Sequence, residues 1–373
     1  MTNFFTAPKF RLSGHRDKPL LHALTKTLMQ LTESTNALHA RFCIWVFLGV
    51  LTMVCASPSK AEPLVQTESS FSLRDQTTLA YRQWAADDPQ IVILGVHGFN
   101  DYSKSFNALA KDLVTQLHAV VYAYDQGGFG ANPKPGIWVG EDRLVDDLRE
   151  IAHQLRQRHP NLPLVIVGES MGSAVVLRAS TETPGLTADK LILLAPAIWG
   201  AEAMPWYQRF SLRLFNAIAP DFTFTGRLVQ SFGIRPTDDP DVARDLSRDP
   251  LVIKEARVSS LYGLTQLMGQ ALNHPTAFLV PTLVLYGLND KIIPPEPVCY
   301  WLKRLATVSV HDASKLRLII YPNGWHMLTR QLEAKVVIQD MVDWIGGAER
   351  LKEGGPMLEL VEAKDVVCQK ASP

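Results

Sequence analysis

The chain has 373 residues, 47% of them hydrophobic, and its 37 basic and 37 acidic side chains leave no formal net charge. This length and apolar content suffice for one large core with a sizeable insertion. The neutral balance argues against electrostatic binding of nucleic acid, which needs a basic face. Apolar attachment needs no net charge, so peripheral contact with a membrane stays open.

An apolar run marks the N-terminal part of the chain. Residues 42–56 read FCIWVFLGVLTMVCA and follow Arg41. This run suits the core of a signal peptide better than a membrane span, which needs about 20 residues. Small residues suited to cleavage follow at Ala56 and Ala61. We therefore predict a signal peptide with a long leader over residues 1–61 and export to the periplasm or medium. An uncleaved N-terminal membrane anchor is the alternative.

Two cysteines remain beyond this segment, Cys299 and Cys368. They could pair in an oxidising compartment, but nothing in the sequence requires it. No CxxC motif and no His/Cys spacing typical of a metal site occurs, so we predict neither a metal nor a cofactor.

From about residue 70 onward, strand-like runs alternate with amphipathic stretches. Phe71–Arg74 and Thr77–Trp84 alternate polar and apolar residues and predict an antiparallel hairpin. Continuous apolar runs, typical of strands covered on both faces, follow at Ile91–Phe99, Ala119–Asp125, Leu164–Ser170, Leu191–Ala197, Thr282–Asp290 and Leu316–Asn323. The predicted helices between them are Ser103–Leu117, Glu141–Arg158, Met171–Ser180 and Gln331–Trp344. The alternation predicts an α/β fold with a mostly parallel central sheet flanked by helices.

One long connection breaks this alternation. Between Pro196 and Pro281 the sequence has helical stretches rich in aromatic residues and no strong strand. About 80 residues are too many for a plain connection, which predicts a helical cap inserted after the sixth strand. We expect most of the aromatic side chains to pack the cap onto the body. The predicted division is a core in two parts, 62–197 and 281–346, a cap at 198–280, and a peripheral tail at 347–373.

The strongest chemical signal is Gly168-Glu169-Ser170-Met171-Gly172, placed between a predicted buried strand and a predicted helix. A nucleophilic serine must project from a very tight turn, so the residues two before and two after it must be small. Gly168 and Gly172 meet this demand. The helix that begins at Met171 points its free amides at the reaction centre. The motif predicts Ser170 as the nucleophile.

His97-Gly98-Phe99-Asn100 follows an earlier predicted strand. Acyl transfer passes through an oxyanion that needs two preorganised amide donors. In this architecture one donor belongs to the residue after the nucleophile, here Met171, and the other to the loop after the earlier strand. Phe99 is the candidate for the second donor. His97 directly ends the strand, so we interpret it as a structural hydrogen-bonding residue and not as the base.

The predicted acid and base come later in the chain, in the order Ser, Asp, His. Asp290 lies just past a buried strand, where a carboxylate would hold the imidazole tautomer. His326 lies in a loop between the last strand and the last helix, which suits a ring that accepts and then donates a proton. Two other aspartates lie in this region, but Asp312 precedes the last strand and Asp340 lies within the final helix.

Together these motifs resemble the α/β-hydrolase family that contains monoacylglycerol lipases and bacterial lysophospholipases and is related to serine aminopeptidases. The resemblance covers roughly residues 71–344 and places the family's oxyanion loop, nucleophile elbow, acid and base on the residues named above. The family's D-x-R-G-x-G loop corresponds to Asp125–Gly130, in which Gly127 replaces the usual arginine. The oxyanion loop carries Asn100 where many relatives have glycine.

The resemblance implies a serine carboxylic-ester hydrolase that forms an acyl-enzyme on Ser170 without a cofactor. The aromatic cap favours a lipid-like ester such as a monoacylglycerol or a lysophospholipid. An acyltransferase or a serine aminopeptidase would use the same triad, and a non-catalytic binding scaffold is the remaining alternative. An aminopeptidase would need carboxylates near the cap to hold a free α-amine, and the candidates are Asp238, Asp239, Asp241, Asp245 and Asp249.

Overall fold

The computed structural model describes residues 66–181, 185–225, 234–273, 278–308, 315–348, 351 and 355–371. The predicted leader, residues 1–61, lies outside these ranges, and so does Asp312. Within the described ranges, no helix is both long and apolar enough to cross a bilayer.

Ten strands occur in the described part of the chain, and eight of them form one sheet. Their ranges are β1 (Gln66–Ser72), β2 (Thr78–Ala85), β3 (Ile91–Val96), β4 (Ala119–Tyr124), β5 (Leu164–Glu169), β6 (Lys190–Leu194), β7 (Thr223–Thr225), β8 (Glu255–Arg257), β9 (Thr282–Gly287) and β10 (Leu316–Tyr321). β7 and β8 pair with each other, whereas the large sheet has the order β1-β2-β4-β3-β5-β6-β9-β10. β2 runs antiparallel to both of its neighbours, and all other neighbours in the large sheet are parallel. The predicted, mostly parallel sheet is therefore confirmed.

Burial explains why these runs form strands. Every residue of β4, β5 and β9 is buried, as expected for strands with helices on both faces. In the β1–β2 hairpin the burial alternates along the strand, and Phe71 pairs with Leu79 on the buried face. The core strands end one to three residues before the predicted runs do, because the predicted runs included the loop residues that form the site.

Helices cover both faces of the large sheet. The described helices are α1 (Asn107–Leu117), α2 (Glu141–Arg158), α3 (Met171–Thr181), α4 (Trp206–Ile218), α5 (Pro240–Arg248), α6 (Val258–Asn273), α7 (Pro295–Val308), α8 (Ala334–Ile345) and α9 (Leu360–Ala371). One hydrophobic cluster joins α1 and α8 to one face of the sheet. A second cluster joins α2, α3, α7 and α9 to the other face. The site loops at the carboxyl ends of the parallel strands are thus held by a three-layer body.

The connection between β6 and β9 contains α4, α5 and α6 together with the β7–β8 pair. α6 packs beside α3 and buries Leu267, Ala271 and Leu272, whereas α4 and α5 bury no side chain. The expectation that most aromatic residues here pack onto the body is therefore wrong. Trp199 packs against the core cluster, but six of these aromatic side chains are exposed: Trp206, Tyr207, Phe210, Phe215, Phe222 and Phe224.

Near the C-terminus lies a helix that the sequence pattern did not predict. α9 buries Leu360, Ala363 and Val367, so its apolar face accounts for its position on the body. The pairing that the sequence left open is formed, since Cys299 of α7 and Cys368 of α9 make a disulfide. Just before α9, a short antiparallel bridge between residues 318 and 358 extends the sheet beyond β10.

Candidate active site

Loops at the carboxyl ends of three parallel strands bring Ser170, Asp290 and His326 together. Ser170 follows β5, Asp290 lies beyond β9, and His326 lies beyond β10. His326 Nε2 is 2.8 Å from Ser170 Oγ, and His326 Nδ1 is 2.6 Å from Asp290 Oδ2. Both are hydrogen-bond distances, so hydroxyl, imidazole and carboxylate form one continuous chain. This arrangement can activate a serine hydroxyl for attack on a carbonyl.

The turn that carries Ser170 is tight and strained. Ser170 has a φ of +53°, a left-handed conformation that a residue with a side chain adopts only where its surroundings enforce it. A Cβ on Gly168 would lie 2.7 Å from the backbone of Ser173, and a Cβ on Gly172 would overlap the carbonyl oxygen of Val96. The elbow therefore requires glycine at both positions that the sequence motif singled out.

Asp290 is placed to fix the tautomer of His326. It is only 2% exposed. The backbone N–H groups of Ile292 and Ile293 donate to its Oδ1 at 2.8 and 2.9 Å. Oδ2 is left to accept from His326 Nδ1–H, and this tautomer leaves Nε2 unprotonated and facing Ser170 Oγ.

The environment of His326 changes its basicity. Burial by itself lowers the pKa of His326, but the negative charge of Asp290, its hydrogen bond and the charge of Glu169 raise it. Arg330 acts in the opposite direction from the two carboxylates. The net result is a His326 pKa above the ordinary value of 6.5. The ring is therefore a stronger base than an isolated imidazole.

The predicted oxyanion donors belong to two segments that meet at Ser170. Met171 is the first residue of α3, and Phe99 lies in the loop after β3. This loop approaches the elbow closely, because a Cβ on Gly98 would be 3.3 Å from Ser170 Cβ. Among the described residues, no backbone acceptor takes the amide of either Met171 or Phe99. Asn100, with a φ of +64°, makes the turn beside them.

His97 is fully buried, and both of its ring nitrogens are used inside the protein. Nδ1 lies 2.7 Å from the carbonyl oxygen of Gly98, and the backbone N–H of Gln126 donates to Nε2 at 2.9 Å. Burial lowers the pKa of His97, although the charge of Asp125 opposes this. The ring is neutral and ties the oxyanion loop to the loop after β4.

Three of the five candidate acidic residues of the cap are engaged in structural contacts. Asp239 accepts from two backbone N–H groups at the start of α5, as an N-cap residue does. Asp238 accepts from the backbone N–H of Leu332. Asp249 accepts from Tyr102 and Lys104. In the part of the chain that the structure describes, no group of three or more His, Cys, Asp and Glu side chains could hold a metal ion.

Known proteins share this architecture. A family model described as "Serine aminopeptidase, S33" matches residues 87–333, more than half of the chain. The chain belongs to this family. This serine hydrolase is 25% identical over 287 residues to a monoacylglycerol lipase of Mycolicibacterium smegmatis, which covers 75% of this chain and 97% of that protein. It is 24% identical over 263 residues to a monoglyceride lipase of Homo sapiens, which covers 69% of this chain and 82% of that protein.

Solved structures agree on the fold of the hydrolase. A soluble variant of monoglyceride lipase from Saccharomyces cerevisiae, in complex with a substrate analog, superposes with a TM-score of 0.62 at 20% identity, over 78% of this chain and 98% of that chain. Paleococcus ferrophilus monoacylglycerol lipase superposes with a TM-score of 0.59 at 20% identity, over 72% of this chain and 98% of that chain. The predicted α/β-hydrolase fold and the predicted serine hydrolase class are confirmed.

Sequence reasoning missed three charged residues beside the site of this hydrolase. Arg330 forms ion pairs with Glu169 at 3.0 Å and with Asp101 at 2.8 Å, and all three side chains are largely buried. In the sequence they are marked only by their closeness to other site residues: Glu169 lies inside the elbow motif, and Arg330 lies four residues after His326. The pairing of distant loops brings them together, and no local motif reports that.

Proposed function

We propose that this hydrolase cleaves a lipid-like carboxylic ester, a monoacylglycerol or a lysophospholipid, through an acyl-enzyme on Ser170. The observation that carries the proposal is the hydrogen-bonded chain from Ser170 Oγ through His326 to the buried Asp290. The roles are nucleophile for Ser170, general base and acid for His326, and acid of the triad for Asp290.

The reaction proceeds in two halves. His326 Nε2 takes the proton of Ser170 Oγ as the oxygen attacks the ester carbonyl, and the amides of Phe99 and Met171 stabilise the oxyanion. The carbon–oxygen bond to the alcohol then breaks, and the imidazolium donates its proton to the leaving alcohol. Water repeats the sequence on the acyl-enzyme: His326 takes its proton, the acid leaves, and Ser170 is restored.

Two observations favour a lipid-like substrate. The relatives described above are named monoacylglycerol or monoglyceride lipases. In addition, the cap exposes large apolar side chains in helix α4, with Trp206 at 72%, Ile218 at 68% and Phe210 at 60% exposure. Isolated exposed apolar residues are normal, but a group of this size on one element indicates contact with an apolar partner.

An aminopeptidase receives less support from the cap carboxylates. A free α-amine would need an uncommitted carboxylate, whereas three of the five candidates are committed: Asp238 accepts from Leu332 N–H, Asp239 caps α5, and Asp249 binds Tyr102 and Lys104. An acyltransferase would share every residue of the proposed mechanism and would differ only in the alcohol that replaces water.

The function is tested with p-nitrophenyl esters of increasing chain length, monoolein, lysophosphatidylcholine and an aminoacyl-anilide. The wild-type enzyme is compared with Ser170→Ala, which removes the nucleophile, and with Ser173→Ala as a buried control on the same helix. We expect hydrolysis of the lipids that is lost in Ser170→Ala only. Cleavage of the anilide alone would assign the enzyme to the peptidases, and no Ser170-dependent cleavage of any ester would refute the proposal.

We also propose that α4 contacts the lipid surface. Besides its exposed apolar side chains, α4 carries Arg209 and Arg213 and no acidic residue, which suits an anionic interface. Replacing Trp206 and Phe210 with serine is expected to reduce co-sedimentation with phosphatidylglycerol vesicles. The same variant should keep its activity on a short, soluble ester, because α4 buries no side chain. Unchanged co-sedimentation would contradict the contact.

Export of the enzyme is a further proposal. The apolar run at residues 42–56 supports it, and so does the Cys299–Cys368 disulfide, because such bonds persist in oxidising compartments. After cell fractionation, we expect the protein outside the cytosol to have the mass of the chain without its leader. Recovery of the uncleaved chain in the membrane fraction would favour an anchor, and recovery with free thiols in the cytosol would contradict export.

A further inference from the structure

Three largely buried charged side chains meet on the segments that carry the triad and the oxyanion loop. Arg330 Nη2 donates to both carboxylate oxygens of Glu169 at 3.0 Å, and Arg330 Nη1 lies 2.8 Å from Asp101 Oδ2. The side chains are 12%, 5% and 8% exposed for Arg330, Glu169 and Asp101. One guanidinium therefore faces two carboxylates in a site with little access to water.

Each member of this cluster stands on a different segment of the active site. Glu169 immediately precedes Ser170, and Asp101 lies two residues after Phe99. Arg330 lies four residues after His326, in a single turn of helix. The ion pairs thus join the nucleophile elbow, the oxyanion loop and the base loop at one point.

The cluster also touches the cap. Thr237 Oγ1 donates to the carbonyl oxygen of Arg330 at 2.7 Å, and the backbone N–H of Met327 donates to the carbonyl oxygen of Pro236 at 2.8 Å. The loop that carries His326 and Arg330 is therefore held from the cap side as well as from the sheet side.

The charges have a consequence for the reaction. The transition state develops negative charge on the oxyanion between Phe99 and Met171, and a buried carboxylate nearby opposes that charge. Without Arg330, both Glu169 and Asp101 would be buried and unpaired, which is strongly unfavourable. With it, the excess negative charge beside the oxyanion is reduced.

We propose that Arg330 is a positioning residue that fixes the three catalytic loops relative to one another and screens the oxyanion and His326 from the charge of Glu169. This inference rests on the proposed mechanism of Ser170 and extends it to a part of the molecule that the triad does not include.

Removing the charge of Glu169 and removing that of Arg330 should change the pKa of His326 in opposite directions. The charged groups that act on His326 are Asp290 beyond β9, Glu169 at the end of β5, and Arg330 on its own loop. Burial has the largest effect and lowers the pKa of His326, whereas Asp290 raises it. Glu169 raises this pKa further, and Arg330 lowers it. Removing the charge of Glu169 must therefore lower the pKa of His326, and removing the charge of Arg330 must raise it.

The experiment measures the rate at which a fluorophosphonate labels Ser170 from pH 5.5 to 9.5, because this readout needs the serine and its base but no particular lipid. The variants are Arg330→Gln, Arg330→Lys and Glu169→Gln. Arg178→Gln is the matched control, since Arg178 is 9% exposed and pairs with Asp142 away from the triad. Thermal melting checks that each variant folds.

The acidic limb is the part of the pH–rate profile in which labelling falls as the pH is lowered. We expect Arg330→Gln to shift the midpoint of this limb to a pH higher by about 0.5 to 1 unit, and Glu169→Gln to shift it to a lower pH by a similar amount. Arg330→Gln should also slow labelling at pH 8 by about tenfold or more. Arg330→Lys should restore the limb but only part of the rate, because lysine keeps the charge without the two-pronged contact. Arg178→Gln should leave the limb in place.

The outcomes separate this inference from the proposed function. If the wild-type enzyme is labelled and both Arg330→Gln and Glu169→Gln keep its acidic limb, the role of Arg330 is overturned and the triad is unaffected. Shifts of the acidic limb in the same direction in both variants would also overturn the role of Arg330. No labelling of wild-type Ser170 at any pH would overturn both the inference and the proposed function.

Discussion

Replacing Asp290 with asparagine changes the proton on His326 without changing the shape of the site. Oδ1 of Asp290 accepts from the N–H groups of Ile292 and Ile293, so in Asp290→Asn the amide oxygen must occupy that position. The amide nitrogen then faces His326 Nδ1 and can only donate to it. The imidazole must adopt the tautomer with its proton on Nε2, which faces Ser170 Oγ and cannot accept the serine proton.

The expected loss is large because the productive tautomer is removed. A triad with the wrong histidine tautomer loses about ten-thousandfold in kcat, which corresponds to about 5.5 kcal/mol of barrier. The variant also lacks the charge that raises the pKa of His326 against the effect of burial, so its residual activity should persist to lower pH than that of the wild type.

The assay is steady-state hydrolysis of a p-nitrophenyl ester at pH 8, with thermal melting to confirm folding. Asp340→Asn is the control, because Asp340 is also fully buried and accepts a hydrogen bond from Tyr321 at 2.8 Å but lies in α8. We expect a kcat within about tenfold of wild type for the control. An Asp290→Asn enzyme that also stays within tenfold of wild type would refute the assignment of the acid.

Three further predictions follow from the same geometry. The raised pKa of His326 predicts that kcat/KM falls tenfold per pH unit below an apparent pKa greater than 6.5, since only the neutral ring accepts a proton; a limb below 6.5 would contradict this. Gly172→Ala should reduce kcat at least about a hundredfold, because the new methyl group overlaps the Val96 carbonyl and displaces the elbow; wild-type kinetics would show that the turn is less confined. Cys299 and Cys368 are 69 residues apart, so reducing their disulfide should lower the free energy of unfolding by about 4 kcal/mol and the Tm by about 6 °C. Reductant should have no effect on the variant in which serine replaces both cysteines, and an equal shift there would exclude the disulfide as the cause.

The sequence predicted the parts of the fold that depend on local patterns. The continuous apolar runs became the core strands, and α2 spans the predicted residues, Glu141–Arg158. The elbow around Ser170 was predictable because steric demands fix glycines at short spacing. Placing Asp290 and His326 needed the order of strands as well, since nothing local distinguishes them from other residues of the same type.

Other features depend on contacts between distant segments. Arg330 gains its partners Glu169 and Asp101 only when the loops after β3, β5 and β10 meet. α9 buries only a few side chains, and these become informative only beside α7 and β10. Trp206 and its aromatic neighbours are exposed, although the prediction from the sequence assumed that aromatic residues are usually buried.

If Ser170 is the nucleophile activated by His326, a covalent inhibitor must attach to its hydroxyl oxygen. The enzyme is incubated with a fluorophosphonate, digested and mapped by mass spectrometry, in parallel with Ser170→Ala, His326→Ala and Ser173→Ala. We predict one modified residue, Ser170, with labelling abolished in Ser170→Ala, slowed strongly in His326→Ala and retained in Ser173→Ala. An adduct on another residue, or labelling that survives in Ser170→Ala, would rule out Ser170 as the nucleophile.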